Sequence, residues 1–437
     1  MKKSLVFIVA LLLTAVGATA QKKVTSPVLN GDGTVTFNIK AKRAEKVRLK
    51  GSFVPMTMPV KTPAGVWGKD GSYAMMKHGN VWTFTTKPLE SEIYTYYFEV
   101  DGERVIDPHN PDTVRDINNF FSRFVIEGGI ADDYVQKDVP HGTVKAVWYN
   151  SSISKTPRRR MVVYTPAGYE ATTDSLPVLY LLHGSGGDEK SWLRLGKAAE
   201  ILDNLIAQGR CKPMIVVMPN GLVNWAATPG ENPYTDEKMS VPNPESMVGK
   251  IERAFVPDIV TFIDSHYRTI PDKQHRAIAG LSLGGLHTLF TSANNPDVFD
   301  YVGLFSAQTT NALNDKRIGG AEKLAKGIDA AASVLPFLKK GKVGEKVGRV
   351  AEMISDGDLD IYENIDDKLE RQFANPPALY YIALGRDDFV KKINDDFRMK
   401  LDAGGYKYVY RETDGGHTWE NWRKYLVDFL PRLFNYE

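Results

Sequence analysis

The sequence of 437 residues contains one cysteine, Cys211, and only eight histidines. A single cysteine cannot form an internal disulfide bond, so the stability of the fold must come from a hydrophobic core. No cysteines and histidines stand at the spacing of metal ligands, and we predict neither a metal site nor a cofactor. A chain of this length is expected to form two domains.

Long apolar runs are also lacking, except near the start of the chain. Two lysines precede an apolar run from Leu5 to Val16, and residues 18–20 read Ala-Thr-Ala. This is the pattern of a secretory signal peptide with its cleavage site, and the run is too short to span a bilayer comfortably. We therefore predict a signal peptide at residues 1–20, export to the periplasm or the outside, and no membrane attachment after cleavage.

A surplus of charge of one sign is absent as well. The chain has 55 basic and 53 acidic residues, and loss of the two lysines of the signal peptide would balance them. A protein without net charge lacks the field that attracts nucleic acid or an anionic membrane, and we predict neither partner. The densest basic run, residues 158–160, opens a predicted strand, and we interpret it as a solvated sheet edge.

Residues 24–128 carry the pattern of short β-strands. Hydrophobic residues alternate with polar ones in residues 35–39, 46–50 and 81–85, and residues 94–100 run into an Asp-Gly hairpin turn. Such strands, punctuated by glycine and proline, predict a β-sandwich, which a linker at residues 129–140 would join to the rest of the chain.

Part of this sandwich resembles a known family. Residues 94–102 read Tyr-Thr-Tyr-Tyr-Phe-Glu-Val-Asp-Gly, and residues 107–111 read Asp-Pro-His-Asn-Pro. These motifs resemble carbohydrate-binding module family 48 and related early-set immunoglobulin-like domains. The resemblance implies a domain that binds glycan or one that braces its neighbour. Trp67 is the candidate for stacking on a sugar ring, with core packing as the alternative.

The pattern of hydrophobic residues changes at residue 141, and the new pattern continues to the end of the chain at residue 437. Near-continuous apolar runs, such as residues 177–182, 214–218 and 379–384, alternate with helical patterns. This alternation predicts a mostly parallel sheet with helices on both faces. A long insertion at about residues 307–376 interrupts it, and we interpret that insertion either as a lid or as a passive excursion.

A Gly-x-Ser-x-Gly motif is central to this part of the chain. Gly280 and Gly284 flank Ser282, an apolar strand precedes them, and a helical pattern follows. Glycines allow the sharp turn that holds a serine hydroxyl exposed on a strained backbone. The motif therefore predicts an α/β-hydrolase fold with Ser282 as the nucleophile.

A serine nucleophile needs a histidine base and an acid, which follow it in that fold as acid and then histidine. Of the two later histidines, His287 is too close to the serine in sequence, which leaves His417 in a glycine turn after the last strand. Asp387 and Asp388 both follow the preceding strand, and spacing alone leaves the choice between them open.

The oxyanion that forms during attack requires two backbone amides. One is the N–H of Leu283, directly after the nucleophile. The other is expected from the glycine-rich loop at residues 183–187, where we select Ser185, with Gly184 and Gly186 as alternatives.

Together these motifs resemble a second family. Residues 141–434 carry His-Gly-Ser-Gly-Gly at 183–187, Gly-Leu-Ser-Leu-Gly-Gly at 280–285, Gly-x-x-Asp-Phe at 385–389 and Gly-His-Thr-Trp at 416–419. They resemble the esterase D-like enzymes of carbohydrate esterase family 1. That family has its acid at the fourth place of Gly-x-x-Asp, which implies Asp388, and it includes feruloyl esterases, acetylxylan esterases and mycolyltransferases.

The resemblance, with predicted export, implies a serine esterase that releases feruloyl groups from arabinoxylan or its oligosaccharides. Trp192, Trp225 and Trp419 are candidates for the aromatic wall that holds the ferulate ring, with packing as the alternative for each. Deacetylation of xylan and hydrolysis of a ferric-siderophore ester are the alternative activities. Acyl transfer to a glycan and glycan binding without catalysis are the rival functions. The sequence leaves the oligomeric state open.

Overall fold

The computed structural model describes residues 24–55, 57–62, 65–69, 71–152, 158–223, 225–233, 249–309 and 360–435. The predicted signal peptide and most of the predicted insertion lie outside the described residues. The side chain of Trp67, which the sequence offers as a sugar platform, is likewise not described.

The N-terminal region consists of strands. Their bounds are β1 Val28–Leu29, β2 Val35–Lys40, β3 Val47–Gly51, β4 Thr57–Thr62, β5 Gly65–Lys69, β6 Tyr73–Ala74, β7 Met76–His78, β8 Val81–Thr85, β9 Glu92–Val100, β10 Glu103–Val105, β11 Thr113–Asp116 and β12 Asn119–Ile126. One antiparallel sheet has the order β1-β2-β8-β7, and another has the order β11-β12-β9-β3-β6, with β10 paired to β9. Strands β4 and β5 form a separate hairpin.

The two larger sheets share one buried core. Alternate residues of β2 and β9 point inward, and Phe37 contacts Tyr96 edge to face with ring centroids 4.7 Å apart. Trp82 is also buried here, as its position in an alternating strand predicts. Because period-two alternation buries one face of each strand, the predicted strands of this region are found close to their expected positions.

The N-terminal region packs directly against the rest of the chain. Residues 130–133 of the predicted linker form a short 3-10 helix, and Ala131 within it contributes to a hydrophobic cluster shared with the C-terminal region. Farther along, Arg423 forms an ion pair with Glu92 of β9, with 2.9 Å between Nη2 and Oε1. Both side chains are buried, and this burial raises the pKa of Glu92.

An eight-stranded sheet forms the centre of the C-terminal region. Its strands are β13 Thr143–Asn150, β14 Arg158–Thr165, β15 Val178–Leu182, β16 Ile215–Pro219, β17 Arg276–Leu281, β18 Tyr301–Phe305, β19 Leu379–Gly385 and β20 Val409–Thr413. They lie in the order β13-β14-β16-β15-β17-β18-β19-β20. The first two are antiparallel to their neighbours, and β15 to β20 run parallel.

Helices connect these strands. The described helices are α1 Ser191–Arg194, α2 Ala198–Ala207, α3 Lys250–Ala254, α4 Thr261–His266, α5 Leu283–Asn294, α6 Ile365–Ala374, α7 Lys391–Ala403 and α8 Trp419–Phe429, and a π-helix at Phe255–Val260 joins α3 to α4. Each face of the sheet carries its own hydrophobic cluster, as expected for a parallel sheet covered on both sides. Within the described part of the chain, no helix is both long and apolar enough to cross a membrane.

The sheet topology places the loops after β15, β17, β19 and β20 at one edge. Carboxyl ends of parallel strands meet at the same side of a sheet, and ligands bind there in α/β proteins. The predicted triad and oxyanion residues follow these four strands, so the fold itself brings them to one edge of the sheet.

The interpretation of residues 158–160 as a solvated edge is wrong. Strand β14 lies inside the sheet, between β13 and β16, and the side chains of Arg159 and Arg160 are buried. Arg160 forms ion pairs with Glu189 and Glu231, each with 2.7 Å between nitrogen and oxygen. These partners are distant in sequence, so a local charge pattern cannot show that the run is neutralised internally.

Candidate active site

Ser282 lies on the predicted sharp turn between β17 and α5. Its backbone has a φ of +53°, a conformation that costs an ordinary residue about 1 to 3 kcal/mol. The flanking glycines make the turn possible, since a Cβ atom at Gly284 would lie 2.5 Å from the carbonyl oxygen of His183. A Cβ at Gly280 would collide with the backbone of Gly284. The turn presents the Ser282 side chain at the edge of the sheet.

His417 and Asp388 form a hydrogen-bonded pair near this turn. The Nδ1 atom of His417 lies 3.0 Å from Oδ1 and 3.1 Å from Oδ2 of Asp388, whose side chain is fully buried. An ionised carboxylate only accepts hydrogen bonds, so Nδ1 carries the proton and Nε2 keeps its lone pair. Aromatic rings fix the imidazole further: the Phe389 ring lies 4.2 Å away and the Trp422 ring 4.9 Å away, centroid to centroid.

One of the two neighbouring aspartates, Asp388, is the one bonded to His417 in the described structure. The Asp388 carboxylate also accepts the backbone N–H of Val390 at 3.0 Å, which holds it towards His417. The Asp387 amide donates to the Gly415 carbonyl, and no described hydrogen bond joins its carboxylate to His417. The pairing supports Asp388 as the acid of the site, an assignment that stays a prediction.

The first residue of the glycine-rich loop after β15, His183, fixes the position of this loop through two hydrogen bonds. Its Nδ1 donates to the Gly184 carbonyl at 2.8 Å, and its Nε2 accepts the Gly221 amide at 2.9 Å. Burial lowers the pKa of His183 to about 4, so the ring is neutral at physiological pH and can fill both roles. Ser185, in this loop, and Ser282 line the same cavity.

Leu283 is the first residue of α5, where backbone amides have no partner inside the helix. Its N–H is thus available to an oxyanion near Ser282. The parts of Leu283 and Ser185 in oxyanion binding remain predictions.

Glu189 is a buried carboxylate that holds the same loop in place, and sequence reasoning did not find it. Glu189 accepts hydrogen bonds from Asn220 and from the Thr228 amide, both at 2.9 Å, and pairs with Arg160. Its only sequence signal was its place in the acidic pair Asp188-Glu189 that follows the glycine-rich loop. Because each of its oxygens has a donor, the carboxylate fixes the loop after β15 to β14 and to the loop after β16.

Ser282 and His417 line one cavity of about 370 Å³, within the range of small-molecule sites. We call the side formed by Ser185, Ser282, Phe389, His417 and Trp419 the catalytic wall. The opposite side comes from the N-terminal region, and it includes Ile93, Thr95, Asp116, Ile117, Phe121 and Arg123. We call the part formed by Asp116, Ile117 and Phe121, on the β11–β12 hairpin, the hairpin wall.

The comparisons with known proteins agree with this arrangement. The family described as "Putative esterase" matches residues 153–433, which is more than half of the chain. The chain belongs to this family.

Curated relatives of this esterase carry related names. It is 32% identical over 295 residues to "Endo-1,4-beta-xylanase/feruloyl esterase" of Xylanibacter ruminicola, a match that covers 65% of this chain and 36% of that protein. It is 28% identical over 260 residues to "Acetyl esterase" of Caldicellulosiruptor saccharolyticus, covering 59% of this chain and 84% of the relative. The family and these names support a carboxylic ester hydrolase.

A solved structure shares the fold of both regions. The enterobactin esterase of Shigella flexneri aligns over 91% of this chain and 92% of its own, with a TM-score of 0.55 and 15% identity. At this identity the likeness shows the fold alone, which is of the α/β-hydrolase type in the C-terminal region.

The three tryptophans predicted as an aromatic wall occupy different environments in the esterase. Trp419 lines the cavity. Trp192 is 1% exposed, and its indole N–H donates to the Leu182 carbonyl at 2.9 Å. Its ring packs edge to face on the Trp419 ring, with the centroids 5.4 Å apart. Trp225 is buried in the hydrophobic cluster on one face of the sheet and does not line the cavity. The burial of Trp192 and Trp225 favours the alternative of core packing for both.

His287 is not among the residues that line the cavity of Ser282 and His417. It is fully buried, and its Nδ1 lies 2.8 Å from Oε1 of Glu252. Tyr362, at the described end of the predicted insertion, bonds the same carboxylate and packs on Phe290 of α5. This end of the insertion belongs to the core, while the lid interpretation falls on residues outside the described ranges.

The hairpin wall places the carboxylate of Asp116 in the cavity, where Glu420 supplies another. Burial raises the pKa of Asp116 to about 6, aided by the nearby Glu420 carboxylate, while the Trp419 indole, the Arg115 guanidinium and the Ile117 amide favour the ionised form. The cavity reaches this residue, which is half-buried. Sequence reasoning missed Asp116 because nothing in a strand end indicates that it will face another part of the chain.

Among the described residues, no group of three or more histidine, cysteine or acidic side chains is arranged to hold a metal ion.

Proposed function

We propose that this protein is an exported serine esterase that hydrolyses feruloyl esters on plant cell-wall xylan. The observation that carries the proposal is the cavity shared by Ser282 and His417, with the imidazole held by the Asp388 carboxylate. The name of the Xylanibacter ruminicola relative supports the substrate class, and the amino-terminal pattern of the sequence supports export.

The mechanism follows from the atoms available. The Ser282 hydroxyl attacks the ester carbonyl carbon while His417 Nε2 takes its proton, and the resulting oxyanion is bound by the amides of Leu283 and Ser185. Asp388 stabilises the imidazolium that forms. The proton then passes to the alcohol oxygen of the sugar, which leaves, and an acyl-enzyme remains. Water activated by His417 hydrolyses that intermediate and restores the Ser282 hydroxyl.

The rings that surround His417 suit an aromatic acyl group. Phe389, Trp419 and Trp422 line the cavity on one side and Phe121 on the other. Aromatic side chains favour contact with another ring by offset or edge-to-face packing, which an acetyl group cannot use. We further propose that the N-terminal sheets form a domain of the early-set immunoglobulin type, related to carbohydrate-binding module family 48.

The test is parallel hydrolysis of methyl ferulate, acetylated xylan and a catecholate siderophore ester by the mature protein. Ferulate release that exceeds the other two, and that Ser282→Ala abolishes, is the expected result. Acetate or siderophore cleavage alone would replace the feruloyl assignment with that activity. Ester hydrolysis that survives Ser282→Ala would reject the serine mechanism, and binding of xylan without any hydrolysis would leave a glycan-binding protein.

A further inference from the structure

The hairpin wall is fastened to the glycine-rich loop by a buried ion pair. The guanidinium of Arg115, on β11, bonds the carboxylate of Asp188, and the two side chains are 8% and 2% exposed. Arg115 also donates to the Ile117 carbonyl, which fixes the turn between β11 and β12. Breaking a buried pair leaves an uncompensated charge, so this contact holds the hairpin firmly against the loop after β15.

The hairpin and the loop also fit each other sterically. Gly186 has a φ of +74°, and a Cβ atom there would lie 2.7 Å from Cγ2 of Ile117. No side chain fits at position 186 while Ile117 occupies its place. The hairpin wall is therefore held in a defined position relative to the loop that carries Ser185.

In sequence, Asp116 lies between Arg115 and Ile117, the two residues that anchor the hairpin. It lines the cavity that Ser282 also lines. The neighbouring Trp419 indole, Arg115 guanidinium and Ile117 amide favour the ionised form of its carboxylate. An ionised carboxylate has about four acceptor positions, so one that lines a cavity can accept a hydrogen bond from a ligand. A carboxylate accepts and does not donate, and the ligand group that complements it is a hydrogen-bond donor. In a carboxylic ester of a sugar or a phenolic acid, that donor is a hydroxyl.

We propose that Asp116 is a specificity-determining residue that accepts a hydrogen bond from a hydroxyl group of the ester substrate. The inference rests on the proposed serine esterase function and adds a recognition role for the N-terminal region. Two parts of a feruloylated sugar carry such a hydroxyl: the phenol of the acyl group and the sugar that leaves.

The experiment compares three esters in the full chain. Methyl ferulate carries only the phenol, feruloylated arabinose carries the phenol and sugar hydroxyls, and methyl 3,4-dimethoxycinnamate carries neither. The variants are Asp116→Ala and Asp116→Asn, with Glu103→Gln as a matched control because Glu103 is an exposed carboxylate on β10 of the same sheet. Thermal unfolding verifies that each variant is folded.

A hydrogen bond to a charged acceptor predicts a loss of about 10- to 100-fold in kcat/KM for Asp116→Ala. If the phenol is the donor, methyl ferulate and feruloylated arabinose both lose this factor, whereas the dimethoxy ester does not. If the sugar is the donor, only feruloylated arabinose loses it. Asp116→Asn is expected to lie between the wild type and Asp116→Ala, because the amide oxygen still accepts but without charge. Glu103→Gln is expected to match the wild type on all three.

An equal loss on all three esters, or no loss on any, would overturn the role of Asp116. The two proposals fail separately in this design. Unchanged rates in Asp116→Ala with no activity in Ser282→Ala would reject only the Asp116 inference. Activity retained by Ser282→Ala would reject the serine mechanism itself.

Discussion

The catalytic wall and the hairpin wall enclose one cavity but are assembled differently. The catalytic wall consists of loops and helix starts that follow neighbouring strands of a single sheet, so its residues meet because the sheet forms. The hairpin wall comes from a separate pair of sheets and reaches the cavity only through contacts between the two regions, such as the Arg115–Asp188 pair. We infer that the catalytic wall supplies the bond-breaking chemistry and the hairpin wall supplies selectivity. Changes in the two walls should then have different consequences.

The largest effect is expected in the catalytic wall, from Asp388→Asn. Loss of the carboxylate leaves His417 without the partner that fixes its tautomer and stabilises its charge, and kcat should fall about 10³- to 10⁴-fold for every ester. Steady-state kinetics on methyl ferulate and on a simple aryl acetate measure this fall.

The adjacent residue provides the control for that change. Asp387→Asn alters a carboxylate that has no described hydrogen bond to His417, so its rates should stay close to those of the wild type. Equal losses in the two variants would contradict the assignment of Asp388.

The second effect concerns the attachment of the hairpin wall. Arg115→Ala leaves the Asp188 carboxylate buried without its ion-pair partner, which is expected to cost about 3 to 5 kcal/mol of stability. Lys50→Ala removes one member of a more exposed pair on the same sheet, with Glu99, and should cost at most about 1 kcal/mol. Urea unfolding measures both costs.

A double variant separates the ion pair from general disruption. Arg115→Leu with Asp188→Leu removes both charges, and it should be more stable than Arg115→Ala alone because no unpaired charge is buried. A double variant that is less stable than the single one would mean that Arg115 acts mainly through its bond to the Ile117 carbonyl.

The smallest effect is a pH-dependent gain in stability for Asp116→Asn. Burial raises the pKa of Asp116 from 3.8 to about 6, so above pH 6 the folded protein carries an ionised group that is better solvated in the unfolded chain. Well below pH 3.8 the carboxyl is protonated in both states and this penalty vanishes. The melting temperature of Asp116→Asn should therefore exceed that of the wild type at pH 8, and the difference should shrink towards zero as the pH falls to about 3.

A shift of the same size at both pH values would show that the substitution acts through packing and not through charge. A gain in stability at pH 8 together with lost selectivity would mean that the ionised carboxylate is retained for function.

The contrast between the walls also explains what could be predicted from sequence. The turn at Ser282 depends on residues within two positions of it, so Gly-x-Ser-x-Gly between a strand and a helix was sufficient to predict it. His417 and Asp388 follow strands whose order the fold dictates. These features are local or are imposed by topology, and both leave patterns in the sequence.

The features that escaped prediction depend on partners remote in the chain. Asp116 becomes part of the cavity through docking of the two regions, which no local pattern describes. Arg160 appeared solvated because its partners Glu189 and Glu231 are distant in sequence. For Trp192 the difficulty is chemical, because an indole can pack in a hydrophobic core as well as it can contact a ligand ring. The residue type alone does not distinguish the two roles.

The most direct test of the central claim is covalent labelling with a small alkyl fluorophosphonate, followed by peptide mapping by mass spectrometry. The Ser282 oxygen should displace fluoride and form a stable phosphonyl ester, while Ser282→Ala should remain unlabelled at every position. Because the reagent carries no hydroxyl group, Asp116→Ala should be labelled as fast as the wild type. Modification of a different residue, or ester hydrolysis by a protein that the reagent does not modify, would contradict the account.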